Sequence, residues 1–327
     1  MEITDLDPAD EQALLDLHEL ECAARPVDRP HLPLPTLAET TVEWTRPYPC
    51  SDLFGLLARL DGRLAGCAWL NLPLADNTSA AFVEIEVHPE LRRRGVGSAL
   101  AAAARHAARA RHRSVAIGSV RCDGPGLPFA TAHGAGEQLT RLRNMLYLDT
   151  LDDDVVDGLL AEATARAAGY QLIRLTDAVP DSYLDSVAAM YEVMNDAPPE
   201  SAALEDEKWT SERVADLDEW LCARGDRIYT ILATHGDERQ VAGMTRVAMP
   251  STGDLALQLD TAVAPAHRGH SLGTLMKASM LRWLIAAEPR ARRINTFNAA
   301  SNVHMLAVNE AIGFIPVERW TNVEIAV

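Results

Sequence analysis

Val87-His88-Pro89-Glu90-Leu91-Arg92-Arg93-Arg94-Gly95-Val96-Gly97-Ser98-Ala99-Leu100 is the stretch whose reading decides the fold. It reads as the end of a strand, a basic turn, a glycine loop and the start of a helix. The strand before it, Phe82 to Val87, alternates apolar and acidic residues with period two. The helix after it, from Ser98 to about His112, is rich in Ala and Leu. Glycines at such a junction let the backbone approach an anion, and the first helical amides point at it. With Arg92, Arg93 and Arg94 as countercharge, the stretch suits a diphosphate.

A second copy reads Val263-Ala264-Pro265-Ala266-His267-Arg268-Gly269-His270-Ser271-Leu272-Gly273-Thr274-Leu275. It too follows an alternating strand, Leu255 to Val263, and precedes a helix, Thr274 to about Ala287. Val87 to Val263 and Gly97 to Gly273 have the same offset, so the chain carries an internal duplication. Rival glycine loops do not match. Neither copy has the G-K-[ST] of a P-loop, and Leu100 stands where a dinucleotide fingerprint needs its third glycine.

The pattern V-x-P-x-x-R-x-x-G-x-G resembles the acetyl-CoA loop of the GNAT acetyltransferase superfamily. Two copies resemble the tandem members of that superfamily, with an architecture like that of mycothiol synthase. The resemblance covers essentially the whole chain. It implies an α/β fold of two tandem GNAT domains, each a mixed, mostly antiparallel sheet with helices on both faces. The domains are expected at residues 1–150 and 169–327, with a linker helix at 151–168.

Composition agrees with two domains. The 327 residues are 48% hydrophobic and 24% charged, ordinary for a globular protein. No apolar run approaches the ~20 residues that span a membrane, and residues 1–5 carry no signal-peptide pattern. The five cysteines are scattered without a C-x-x-C, as in a reducing cytoplasm. A net charge of −17 argues against nucleic acid and suits a cationic amine substrate. The expected protein is cytoplasmic, a monomer or homodimer. Against the acidic background, Arg92–Arg94 and the group His267, Arg268, His270 and Lys277 stand out.

Along the chain, a first strand at Ile3–Leu6 precedes a helix from about Ala9 to Cys22. Arg25 to Pro35, with four prolines, reads as loop and as part of a lid. Asp61-Gly62 between two apolar runs marks a hairpin. Leu139 to Leu148 is expected to close the first domain as a strand pair, and Phe314 to Val327 supplies the last strands.

The resemblance implies direct transfer of acetyl from acetyl-CoA to a small-molecule amine. It assigns coenzyme contacts in the first copy to Val87, His88, Pro89, Arg92, Arg93, Arg94, Gly95, Val96, Gly97 and Ser98. In the second copy it assigns them to Val263, Ala264, Pro265, Arg268, Gly269, His270, Ser271, Leu272, Gly273 and Thr274. The base must be a carboxylate or a relayed water. Glu84 and Glu86 share one face of the central strand, and Asp260 is the matching candidate in the second half; the bland alternative is solvated carboxylates. Many members place a tyrosine acid four residues before the glycine of a G-F pair. Here Asn309 and Ala130 hold that place, and an asparagine cannot act as the acid. Asn298, Asn302 and Asn309 suggest pantetheine contacts in the second half, which this reading expects to be the catalytic one. The alternatives are a non-catalytic acetyl-CoA sensor and an antibiotic-modifying acetyltransferase.

Overall fold

A computed structural model describes residues 1–197, 201 and 203–327. The chain forms two compact units. Unit 1 comprises Met1–Thr140, Pro199–Glu205 and Trp320–Val327, and unit 2 comprises Arg141–Pro198 and Asp206–Arg319. The compact units do not follow the boundaries expected from the repeat, 1–150 and 169–327. Residues 141–150 belong to unit 2 and residues 320–327 to unit 1.

Unit 1 holds strands β1 (Glu2–Asp5), β2 (Ser51–Leu60), β3 (Arg63–Pro73), β4 (Ala80–Val87) and β5 (Val115–Arg121). Its sheet is completed by residues Trp320–Ala326 of β12 (Ile315–Ala326), antiparallel to β5. Only β4 and β5 run parallel. The hairpin β2–β3 turns at Asp61 and Gly62, both with positive φ (52° and 81°). That is the primed turn whose twist suits paired strands. Helix α3 (Val96–Ala110) buries Val96, Leu100, Ala104 and Ala108 against one face, packed on Leu70, Leu72 and Ala81. Helices α1 (Glu11–Asp28) and α2 (Leu37–Thr45) cover the other face through Leu17, Leu20 and Trp44. A short helix, α4 (Gly126–Ala132), follows β5.

One local expectation changes here. The first helix passes through Pro26 and ends at Asp28, so only the rest of the Arg25–Pro35 stretch is loop. Helix α2 begins at a capping box: Thr36 accepts from the Glu39 amide, and Glu39 accepts from the Thr36 amide at 2.7 Å. Thr36-x-x-Glu39 is a legible start signal that the proline-rich neighbourhood obscured.

Unit 2 repeats the plan with β7 (Tyr170–Thr176), β8 (Arg227–His235), β9 (Asp237–Met249), β10 (Leu255–Val263) and β11 (Arg293–Ala299). Its sixth member is residues Arg141–Tyr147 of β6 (Gly136–Tyr147), antiparallel to β11. The twelve strands form one mixed, mostly antiparallel sheet, and within each unit helices flank its strands. The flanking helices are α5 (Asp153–Arg166), α6 (Asp181–Glu192), α7 (Ser211–Ala223), α8 (Leu272–Ala287) and α9 (Val303–Ile312). The expected strand pair at 139–148 is one long strand, β6, and 314–327 is likewise one strand, β12. Among the described residues no helix is long and apolar enough to cross a membrane.

Candidate active site

The two loops share one backbone. After β4 a 3-10 turn, Pro89–Leu91, leads through Arg93 (φ 64°) and Gly95 (φ 83°) into α3. After β10 the turn Pro265–His267 leads through Gly269 (φ 86°) and Ser271 (φ 58°) into α8. Each loop thus has two left-handed residues separated by one, at matching positions. The second copy moves its glycine to the first of them and puts serine at the other. Ser271 holds the required shape against a steric cost of about 1–2 kcal/mol. Replacing Ser271 by glycine should relieve most of that strain, offset partly by greater chain entropy when unfolded. The expected result is a thermal midpoint higher by about 1–3 °C. A lowered midpoint in a melting experiment would refute the strain.

Neither helix has a side-chain cap at its N-terminus, so the first amides of α3 and α8 are left for an anion. A Cβ on Gly273 would meet nothing within 4 Å, whereas one on Gly97 would lie 3.3 Å from Phe129. Arg92 and Arg268 are engaged within the protein. Arg92 donates to the Val87 carbonyl (3.1 Å) and pairs with Asp28 (2.6 Å); Arg268 donates to the Val263 carbonyl (3.2 Å) and pairs with Asp196 (2.5 Å). Both brace the loop to its own strand. Arg93 and Arg94, exposed beside the helix start, carry the free countercharge in the first copy. In the second copy His267 bonds the Tyr170 hydroxyl at 2.9 Å and His270 lies 3.2 Å from the His267 carbonyl. Lys277 does not join this basic group. It is buried in α8 beside the Phe314 ring, and burial pulls its ammonium down to about 7.

Next to each loop the central strands part. The parallel ladder of β4 and β5 covers Ala80–Phe82 with Val115–Ile117, and that of β10 and β11 covers Leu255–Leu257 with Arg293–Asn295. Beyond those pairs the strands continue and leave a V that ends at the uncapped helix. Asn298 lines this part of β11 and accepts from the Asn309 amide at 2.6 Å. The Asn309 oxygen is buried with no hydrogen-bond partner. Asn302 is placed elsewhere: its side chain caps α9 by accepting from the Met305 amide (3.1 Å).

The carboxylates differ more than their spacing suggests. Glu84 and Glu86 line a small recess in unit 1, together with Glu21, Arg25, Arg29, Glu43, Trp44, Cys67 and Trp69. Sequence reading did not single out any of these companions. Glu84, 52% exposed, is paired with Arg29 at 2.6 Å, which holds its carboxyl below the usual range. Glu21 is saturated by Thr40 (2.6 Å) and the Trp44 indole (2.8 Å). Glu86 has no hydrogen-bond partner among the described residues. Burial pushes its carboxyl up to about 7, with Arg29 opposing and Glu21 and Glu84 reinforcing.

Unit 2 fills the matching place. Gly66 and Gly243 mark the correspondence, since a Cβ on either would strike the carbonyl of the next strand (Glu86 at 2.7 Å, Ala262 at 3.1 Å). Three residues on, Trp69 in unit 1 corresponds to Arg246 in unit 2. Arg246 is 0% exposed and bonds Tyr191 (2.7 Å), Thr230 (3.1 Å) and Asp218, which also accepts from the Val179 amide. Asp260 lies close enough that Arg246 opposes the upward pull of burial on its carboxyl. A β-bulge between Gln258 and Thr261 further separates β10 from the plain ladder of β4.

Comparison with known proteins agrees with this geometry. The model of the acetyltransferase (GNAT) family matches residues 14–125 and again 187–314. A solved tandem GNAT protein from the clavulanic acid biosynthesis pathway is similar over 99% of this chain and 98% of its own, at 28% identity and a TM-score of 0.83. A GCN5-related N-acetyltransferase from Sphaerobacter thermophilus shares the fold, with 15% identity, a TM-score of 0.69 and coverage of 99% and 95%. So does Saccharomyces cerevisiae N-myristoyltransferase, at 12% identity and a TM-score of 0.62, over 99% of this chain and 79% of its own. No curated protein gives a significant match. By these matches, and by two loops of one shape beside two parted strand pairs, the chain belongs to the GNAT acetyltransferase family.

Proposed function

We propose that the chain is an acetyl-CoA-dependent N-acetyltransferase of a small-molecule primary amine, with transfer carried out in unit 1. The observation that carries this reading is Glu86, an unpartnered carboxyl with a pKa near 7 in an open recess beside the β4 loop. A base serves best when its pKa lies near the working pH. The fit of the coenzyme rests on the uncapped α3 amides, the left-handed Arg93 and Gly95, and the V between β4 and β5. Acetyl-CoA bound there supplies the activated acetyl group.

The chain's own residues do the rest. The amides of Val96, Gly97 and Ser98, with Arg93 and Arg94, would hold the diphosphate. The end of β4 at Val87 presents backbone to the acyl end. Glu86 would take one proton from the acceptor's ammonium, leaving a neutral amine; as its C–N bond formed and the thioester C–S bond broke, the second nitrogen proton would neutralise the departing thiolate, directly or through water. Arg29 keeps Glu84 ionised, and that second negative charge raises the proton affinity of Glu86. Unit 2 has the loop and the Asn298–Asn309 pair, but Arg246 and its partners occupy the acceptor's place. This favours a coenzyme-binding role without transfer for unit 2. It reverses the expectation that the second half is catalytic.

Calorimetric titration with acetyl-CoA, combined with a thiol-release assay, tests the assignment. Gly97→Glu should abolish both one equivalent of binding and the transfer, because a carboxylate there repels the diphosphate. Gly273→Glu should lose an equivalent of binding and keep the transfer. Transfer lost only in Gly273→Glu would move catalysis to unit 2.

A further inference from the structure

We infer that the unit 1 recess selects a small cationic amine that also carries an uncharged hydrogen-bond acceptor oxygen, which the indole N–H of Trp69 holds while Glu86 meets the nitrogen. The inference rests on the assignment of transfer to unit 1 and names the acceptor class of that site.

The lining is nearly all committed to itself. Glu21 is bonded by Thr40 and Trp44, and Glu84 by Arg29. Besides the Arg25 guanidinium, two polar groups remain, both on the strands. One is the Glu86 carboxyl. The other is the Trp69 Nε1–H, which is buried with no hydrogen-bond partner. A buried donor left without an acceptor is costly, so a ligand that satisfies it gains affinity.

Their placement follows from the strand register. Trp69 faces Glu84 and Cys67 faces Glu86 across β3 and β4. Trp69 and Glu86 are therefore diagonal neighbours on one face, about 7–8 Å apart, and one short molecule reaches both. Charge then decides what the oxygen can be. The recess holds Glu21, Glu43, Glu84 and Glu86 against Arg25 and Arg29, so it is net negative. A carboxylate on the acceptor would be repelled, whereas a hydroxyl or amide oxygen would not. The indole faces of Trp44 and Trp69 add a wall suited to an ammonium and its adjoining carbons. Unit 2 has Arg246 at the position of Trp69, buried and fully bonded, so the pairing belongs to unit 1 alone among the two copies.

Three short primary amines separate the possibilities: 3-amino-1-propanol and butylamine, which match in heavy-atom count, and 4-aminobutyrate, which carries a carboxylate. Their binding is measured by titration calorimetry on the whole protein, and transfer by thiol release. The amino alcohol should bind at least about tenfold more tightly than butylamine, the equivalent of one hydrogen bond, and 4-aminobutyrate should bind more weakly than either. Trp69→Phe should collapse the alcohol-to-alkyl ratio to near one, chiefly through KM. Equal binding of the alcohol and butylamine, preference for 4-aminobutyrate, or no binding of any would overturn the inference, whatever the transfer assay reads. Because the ratio is measured first in the unsubstituted protein, a Trp69→Phe variant that failed to fold would leave it decided. Selective binding without thiol release from any amine would instead sink the transfer reading and uphold the selectivity.

Discussion

Glu86→Gln should lower acetyl transfer by about 10²–10⁴-fold, the usual contribution of a positioned general base. The glutamine keeps the shape and removes the proton acceptor. The effect should depend on pH in one direction. Glu86 works ionised, and its carboxyl titrates near 7, so wild-type kcat/KM should rise through pH 7 and level off above it. The residual activity of the variant should lack that limb. A parallel effect on stability has a fixed sign. A carboxyl whose folded pKa lies above its unfolded value binds its proton more tightly in the native state. Its contribution to stability therefore falls as pH rises from about 4.5 towards 7. Glu86→Gln escapes that loss, so its thermal midpoint relative to wild type should be higher at pH 8 than at pH 4. An unchanged pH limb in the variant would show that another group is the base.

The second large effect belongs to unit 2. Arg246→Ala should destabilise it by about 3–5 kcal/mol, because it strands Asp218, 1% exposed, without its cation. Thr230 and Tyr191 would also lose the donor that they share. The double variant Arg246→Met, Asp218→Leu removes both charges and should recover most of the loss, since burying the pair is itself costly. Urea denaturation of the three proteins measures this. An Arg246→Ala variant within about 1 kcal/mol of wild type would mean that water or a side-chain shift solvates Asp218.

Much of this was legible before any coordinates. The duplication, both loops and the Asp61-Gly62 hairpin all depend on local chemistry, in which a few neighbouring residues determine the backbone. Glu86 was visible as one of two carboxylates on a strand face. The difference between its surroundings and those of Glu84 was not, because Arg29 lies far off in sequence and reaches Glu84 only in the folded unit. Asn302 has a local role that its sequence did not separate from ligand binding. Asparagine at a helix start serves as a cap as readily as it serves a ligand, and here the Met305 amide takes it. Lys277 read as basic surface because α8 is apolar nearly all round, with no polar stripe to reveal which face is buried. The exchange of strands was illegible in principle. β6 and β12 look the same whichever sheet they join.

That exchange has a consequence for how the chain reaches its native state. β5 finds its antiparallel neighbour about 200 residues later, at Trp320–Ala326. A ribosome that has released residues 1–140 has therefore not yet released what finishes the sheet bearing Glu86. Until then β5 waits as an open edge, the kind of backbone that invites wrong pairing. Removing residues 320–327 should accordingly damage the half of the molecule that was made first. Cutting the coding sequence between its two repeats would yield two incomplete sheets, each lacking the strand that the other fragment carries.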